Sequence, residues 1–239
     1  PLANGFIVTG QRVRSYYLNS KRFSKQSTIG IQAPFNPRTF DPDNTTADTQ
    51  ILETHGLKIT MVSMITPSKG IEYFIEMAQI LSQKHDNVSF HIVGPELHNY
   101  EAYSKSLIKM AVESRIENMF FDGRSDDMAS TLKATDIFVC PSLKESGPMV
   151  VWEAMAMSKP IVSTDVGDVA IYIKDGSSGF VVPTRDASAM AEKVSILIND
   201  QALRVSFGSL ARKTALQELD VDTCAIKHQH FYREILASV

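Results

Sequence analysis

Ile137-Phe-Val-Cys140, followed by Pro141-Ser-Leu-Lys-Glu-Ser-Gly-Pro-Met-Val-Val-Trp-Glu-Ala-Met-Ala156 and then Lys159-Pro-Ile-Val-Ser-Thr164, decides the fold. Two short apolar runs flank a polar loop and a helical segment, which reads as strand, loop, helix, strand. The loop closes on Gly147-Pro148, and Pro at a first helical position leaves a helix start with free backbone N–H groups. Such an end attracts phosphate through aligned peptide dipoles and unpaired donors. Glu145 stands in the loop before that end, and Glu153 lies one turn past Met149 on the same face.

A carboxylate beside a phosphate site repels the phosphate, so the two acids need another task. An ionised carboxylate is acceptor only and can take two O–H donors at once. A phosphate cradle between two hydroxyl-gripping acids describes a sugar nucleotide, with sugar on one side and ribose on the other. Spacing alone is weaker ground, because two glutamates eight apart are common on solvated helices.

Outward from this stretch, strand and helix signals alternate. Strands are expected over 57–63, 88–93, 119–121 and 136–140, and helices over 70–85, 100–115 and 126–134. Ile71, Phe74, Ile75, Ala78 and Leu81 share one helical face. The rhythm implies crossover units and a parallel sheet. The central strands are continuous apolar runs, as required when both sheet faces are covered. The expected fold is a doubly wound, Rossmann-like α/β domain over 57–199, with a pair of helices over 200–239. Residues 1–56 contain one apolar run, Gly5-Phe-Ile-Val8. Pro34, Pro37 and Pro42 then make a poor helix and a poor central strand, so this flank reads as a linker or ordered loop.

Bulk properties exclude several classes. Hydrophobic content of 44% with 21% charged residues suits a globular chain, and a net charge of −3 argues against a nucleic-acid binder. Cys140 and Cys224 make no spacing pattern, and Cys140 reads as a core residue, so a reduced, cytoplasmic setting is expected. No stretch reaches the roughly 20 apolar residues of a membrane span. The opening Pro-Leu-Ala-Asn-Gly, without Met, reads as part of a longer protein. There is no Gly-x-x-x-x-Gly-Lys loop, and no Gly-x-Gly-x-x-Gly after a strand, which disfavours ATP and NAD chemistry.

Three segments together carry a family resemblance. Glu-Ser-Gly-Pro-Met-Val-Val-Trp-Glu-Ala-Met-Ala, Lys-Pro-Ile-Val-Ser-Thr-Asp-Val-Gly and Ile173-Lys-Asp-Gly-Ser-Ser-Gly-Phe-Val-Val-Pro183 follow one another in order. The run resembles the donor-binding half of family 4 glycosyltransferases, the group 1 retaining enzymes of the GT-B fold. The resemblance implies that Glu145 holds donor-sugar hydroxyls and that the amides of Ser146, Gly147, Met149 and Val150, around Pro148, hold sugar and phosphate oxygens. It implies that Glu153 holds the ribose diol and Lys69 the diphosphate, making Lys69 and Glu145 the catalytic pair. Similar enzymes set the nucleotide base against the residue after Gly123, here Arg124, whose guanidinium can also stack on a base. On residues alone, Lys69 also reads as a surface lysine and Arg124 as part of an ordinary turn.

The implied donor is a UDP-, GDP- or ADP-sugar, used for hexosyl transfer in polysaccharide biosynthesis without a metal or other cofactor. The acceptor, a glycan or lipid-linked sugar, would lie on an N-terminal domain outside this chain, so donor binding without turnover is expected. In the family the last helix crosses back to that domain, which suits the helical tail. One departure stands out: the family has Gly-Arg after the first strand, and this chain has Ser63-Met64. Ser63 or Thr66 could offer a hydroxyl there. A non-catalytic glycosyltransferase-like subunit is therefore an alternative, as is a phosphorylase or epimerase on the same half-fold.

Other features are assigned structural roles. Asp168 is expected to cap the helix that follows it, and Trp152 to lie in the core. Asp41-Pro-Asp43 and Asp220-Val-Asp222 match a weak Asp-x-Asp metal pattern but lie in flanks, and His228 and His230 face different sides of a helix. The segment 11–25 has five cations and no acid. It reads as a solvated helix face or as a peripheral contact for the inner membrane surface.

Overall fold

The structure is a computed structural model that describes residues 4–20 and 27–237. The flank expected as linker holds regular structure. β1 (Phe6–Val8) and β2 (Thr28–Gly30) pair in parallel through α1 (Gln11–Asn19), with Phe6 opposite Thr28 and Val8 opposite Gly30. Strands this short carry no periodicity to read. The Pro-containing segment that follows is ordered by burial of Phe35, Phe40 and Ile51, the last in α2 (Thr49–Leu52). Lys21, Arg22 and Lys25 of the basic segment lie outside the described residues, and α1 buries none of its side chains.

The main sheet then builds as expected. β3 (Leu57–Val62), α3 (Ile71–Ser82), β4 (Val88–Val93), α4 (Glu101–Glu113), β5 (Met119–Gly123), α5 (Met128–Ala134) and β6 (Ile137–Cys140) form its first half. α6 (Met149–Ala156), β7 (Ile161–Thr164), α7 (Val169–Tyr172), β8 (Phe180–Val182) and α8 (Ala187–Asn199) form the second. α9 (Gln201–Glu218) and α10 (Val221–Ala237) are the two tail helices.

Six parallel strands run in the order β5-β4-β3-β6-β7-β8. The chain winds outward twice from the β3–β6 pair, which is the doubly wound arrangement. Both faces are covered. On one, Ile75, Leu107 and Val194 from α3, α4 and α8 pack against Ile59 and Val139. On the other, Leu132, Val151, Trp152 and Ala215 from α5, α6 and α9 pack against Phe138 and Ile161. Phe138 and Val139 are neighbours in β6 yet serve opposite layers, as strand alternation requires. Trp152 is fully buried, edge-on to Tyr172 with ring centroids 5.2 Å apart.

The end of the chain returns to its start. A Cβ built on Gly5 would stand 3.0 Å from Ile235 and 3.1 Å from Phe231, so α10 packs directly beside β1. Among the described residues, no helix is long and apolar enough to cross a membrane.

Candidate donor site

In an open parallel sheet, the crevice opens beyond the carboxyl ends of the strands, where the winding reverses. Here that point lies between β3 and β6, and a cleft of about 420 Å³ sits on it. Ser63, Met64 and Lys69 line it from the exit of β3, and Gly94 and Arg124 from the exits of β4 and β5. The β6 loop and the start of α6 contribute Ser142, Glu145, Gly147, Pro148, Met149, Val150 and Glu153.

Local chemistry places each group. Pro67–Lys69 is a single 3-10 turn ended by Gly70 at φ +64°, a left-handed conformation that glycine adopts without a Cβ clash. A Cβ there would also stand 2.2 Å from the Pro141 carbonyl, so the β3 and β6 loops touch backbone to backbone. Leu143 N–H donates to Ser68 O at 2.9 Å across the same seam. The Thr164 hydroxyl, donating to Ser142 O at 2.6 Å and Cys140 O at 3.2 Å, pins the β6 exit to β7.

The seam brings Lys69 Nζ within 2.6 Å of Glu145 Oε1, with side-chain exposures of 20% and 14%. Ser142 Oγ donates to the same oxygen at 3.0 Å. Both donors meet Oε1, so Oε2 keeps its acceptor capacity for a ligand. Ser142 is a site residue that sequence reasoning missed; its only signal was a hydroxyl three residues before Glu145.

The start of α6 differs from expectation in two details. Pro148 is the cap, not the first helical residue: its ψ of 95° is extended, and its carbonyl accepts from Val151 N–H at 2.9 Å. Among the described residues, no protein acceptor meets the N–H of Met149 or Val150, and no side chain caps the helix. Ser146 does not line the cleft with its neighbours. Its side chain is exposed and its carbonyl is packed on Gly167, where a Cβ would stand 2.8 Å away.

Glu153 lines the cleft on the face it shares with Met149, and burial raises its carboxyl above the ordinary range. Arg124 reaches the cleft from its outer end, three-quarters exposed and 3.1 Å from Asp126. Lys69 and Arg124 are the lining cations among the described residues, and Met64, 48% exposed, lines the position at which the family resemblance would put an arginine. Ser63 lines the cleft and Thr66 does not, but the Ser63 Oγ is buried and has no partner among the described residues.

Asp168 corrects another expectation. It occupies the N-cap position of α7, but its side chain makes no bond to that helix. Its carboxylate instead accepts from Gln11 N–H at 2.5 Å and Arg12 N–H at 2.9 Å, so it caps α1 from the far end of the sequence. The capping residue of α1 is Gly10, which has no side chain to do so. The flank carboxylates are also engaged: Asp41 binds Asn44 at 2.7 Å and Arg212 at 3.4 Å, and Asp220 caps the start of α10 through Thr223. Among the described residues, no cluster of three or more metal-ligand side chains occurs.

A doubly wound sheet with an amide-lined mouth and a lysine at its switch point defines a class of phosphate-ligand domains. Residues 45–214 match the family described as "Glycosyl transferases group 1", and the chain belongs to that family. It is 29% identical over 181 residues to the N,N'-diacetylbacillosaminyl-diphospho-undecaprenol alpha-1,3-N-acetylgalactosaminyltransferase of Campylobacter jejuni, covering 76% of this chain and 46% of that one. It is 30% identical over 155 residues to the capsular polysaccharide biosynthesis glycosyltransferase CapM of Staphylococcus aureus, covering 65% and 40%. The chain thus spans about half the length of these relatives or less. A glycosyltransferase of Rickettsia africae superposes with a TM-score of 0.87 at 20% identity, covering 97% of this chain and 63% of that one. Anabaena Alr3699/HepE, solved with UDP and glucose, superposes at 0.85 and 21% identity, covering 99% and 64%. These superpositions bear out the fold expected from sequence, that of GT-B glycosyltransferases.

Proposed function

We propose that the cleft binds a nucleoside-diphosphate sugar and that the chain serves as the donor half of a retaining, metal-independent glycosyltransferase. One observation carries the reading: Lys69, Glu145, the free amides of α6 and Glu153 line a single cleft at the switch point. Lys69 and the Met149 and Val150 amides take the diphosphate. Glu145 Oε2 takes donor-sugar hydroxyls, Glu153 takes the ribose diol, and Arg124 borders the base. Binding of UDP by the Anabaena neighbour supports this choice of ligand. In the reaction, the bond from the anomeric carbon to the diphosphate oxygen breaks, and the electron pair leaves with the diphosphate. An acceptor hydroxyl oxygen forms the new glycosidic bond, its proton is released to solvent, and the nucleoside diphosphate departs as the second product. Lys69 and the α6 amides offset the charge that develops on the leaving group, the largest contribution in catalysis of this kind.

Glu145 is engaged by Lys69 and Ser142, Asp41 by a turn and Asp220 by a helix cap, which supports neutralisation by protein groups alone. Activity that survives EDTA is the corresponding expectation. By its name, the Campylobacter relative acts on a diphospho-undecaprenol sugar, which supports a lipid-linked or glycan acceptor and work at a membrane surface. Calorimetry with UDP-, GDP- and ADP-sugars tests the reading. Binding of one nucleotide class, weakened by Glu153→Ala, is expected; no binding by any would overturn it. A second reading rests on Met64: with a thioether in place of the expected cation, the domain binds donor while the complete protein turns over poorly. Product analysis on the complete protein separates the two.

A further inference from the structure

We propose that Gln32 is a positioning residue for the donor loop, transmitting the seat of the β1–α1–β2 unit to Gly147 at the mouth of α6. The inference rests on the donor reading of the cleft.

Gln32 follows β2 and is 3% exposed. Its Nε2 donates to Asp168 Oδ2 at 2.7 Å. An ionised carboxylate only accepts, so this bond fixes which way the amide lies, nitrogen toward Asp168 and oxygen away from it. The oxygen is thereby driven against the donor loop. A Cβ built on Gly147 would stand 1.9 Å from Gln32 Oε1, so residue 147 must be glycine while Gln32 is in place. Oε1 itself is buried with no hydrogen-bond donor among the described residues. A buried orphan acceptor opposes folding, whereas an apolar side chain of the same shape would not. Gln32 therefore does not act as mere filler.

The same carboxylate closes the circuit on the other side. Asp168 caps α1 through Gln11 and Arg12, and a Cβ on Gly10 would meet Gln32 Nε2 at 2.3 Å and Asp168 Oδ2 at 2.6 Å. The start of α1, the exit of β2 and the loop after β7 thus form one knot with no slack. Any shift of the β1–α1–β2 unit against the main sheet moves Gln32 against Gly147. Gly147 stands in the loop between Glu145 and the first amides of α6. The unpaired Oε1 is an acceptor that a shifted Gly147 N–H could reach, so donor binding and the seat of the unit favour one another.

The test measures UDP affinity by calorimetry, and the unligated thermal midpoint, for the wild-type chain and for Gln32→Met, which keeps length and volume without the amide. Expected is a loss of UDP affinity of about fivefold or more, with a midpoint lowered by no more than about 3 °C. A Gln32→Met affinity within about twofold of wild type would overturn the inference while leaving the donor reading intact. Should Gln32→Met fail to fold, the wild-type chain decides: the Gln32 side-chain amide resonances are expected to shift on UDP saturation. Their staying fixed while the α6 amides shift would overturn it. If UDP does not bind the wild-type chain at all, the donor reading and this inference fall together.

Discussion

Glu145→Gln separates the two tasks that converge on one side chain. Glu145 Oε1 holds Lys69 Nζ at 2.6 Å, with both groups largely shielded from solvent. A phosphate must compete with that carboxylate for the ammonium. Two unit charges 4 Å apart attract by about 4 kcal/mol at an effective dielectric near 20. The carboxamide keeps the oxygen, the shape and the bond from Ser142 but drops the charge, so Lys69 becomes more available and repulsion of the diphosphate falls. UDP alone is expected to bind about three- to tenfold more tightly, or roughly 0.7–1.4 kcal/mol. A UDP-sugar loses charged hydrogen bonds from its hydroxyls to Oε2. Each such bond is worth about 1.5–3 kcal/mol against about 1 kcal/mol for a neutral one. With one or two hydroxyls affected, the preference for UDP-sugar over UDP is expected to fall about ten- to a hundredfold. Titration calorimetry of both ligands against both chains reads this directly. Equal weakening of UDP and UDP-sugar would refute the reasoning and make Glu145 a strut for Lys69 with no sugar contact.

The remaining expectations concern single groups. Lys69→Met should weaken UDP about ten- to a hundredfold by loss of a charge-assisted bond, while uridine affinity, measured in parallel, stays unchanged. Glu153→Gln should raise the thermal midpoint near neutral pH but not at about pH 4. Burial raises the carboxyl above its ordinary 4.5; between those values the folded chain holds a proton that the unfolded chain has lost, so stability falls as pH rises. A midpoint gain of equal size at both pH values would contradict this. Asp168→Ala removes the acceptor shared by the Gln11 and Arg12 N–H groups of α1 and by Gln32 Nε2. It should cost about 3 kcal/mol, or roughly 6–12 °C in a thermal melt; a loss comparable to that of Asp165→Ala, an exposed partner of Arg12, would show the cap to be unimportant.

The doubly wound sheet was legible because its central strands are uninterrupted apolar runs. β4 was read at its observed bounds, and its residues are all buried. The cleft was legible for a related reason: residues at strand exits on one edge must be neighbours once the winding order is known. What could not be read was set by contacts far apart in sequence. β1 and β2 have three residues each, too few to show a period. Asp168 carried a real N-cap signal, but the sequence cannot say that the helix it caps starts at Gln11. Gln32 carried no local signal, since its role comes from Gly147 and Asp168. Ser146 was included with its neighbours because a run of amides looks uniform until Gly167, at φ +51°, turns its backbone against the loop.

Backbone amide mapping by NMR during a UDP titration is the most direct test of one shared donor cleft. The largest shifts are expected at Lys69, Gly70, Gly147, Met149, Val150 and Glu153, saturating together with a single dissociation constant. Saturable UDP binding that instead perturbs Tyr172, Gln217 and Lys227, which line a second cleft beside α7, α9 and α10, and leaves the start of α6 still, would contradict it.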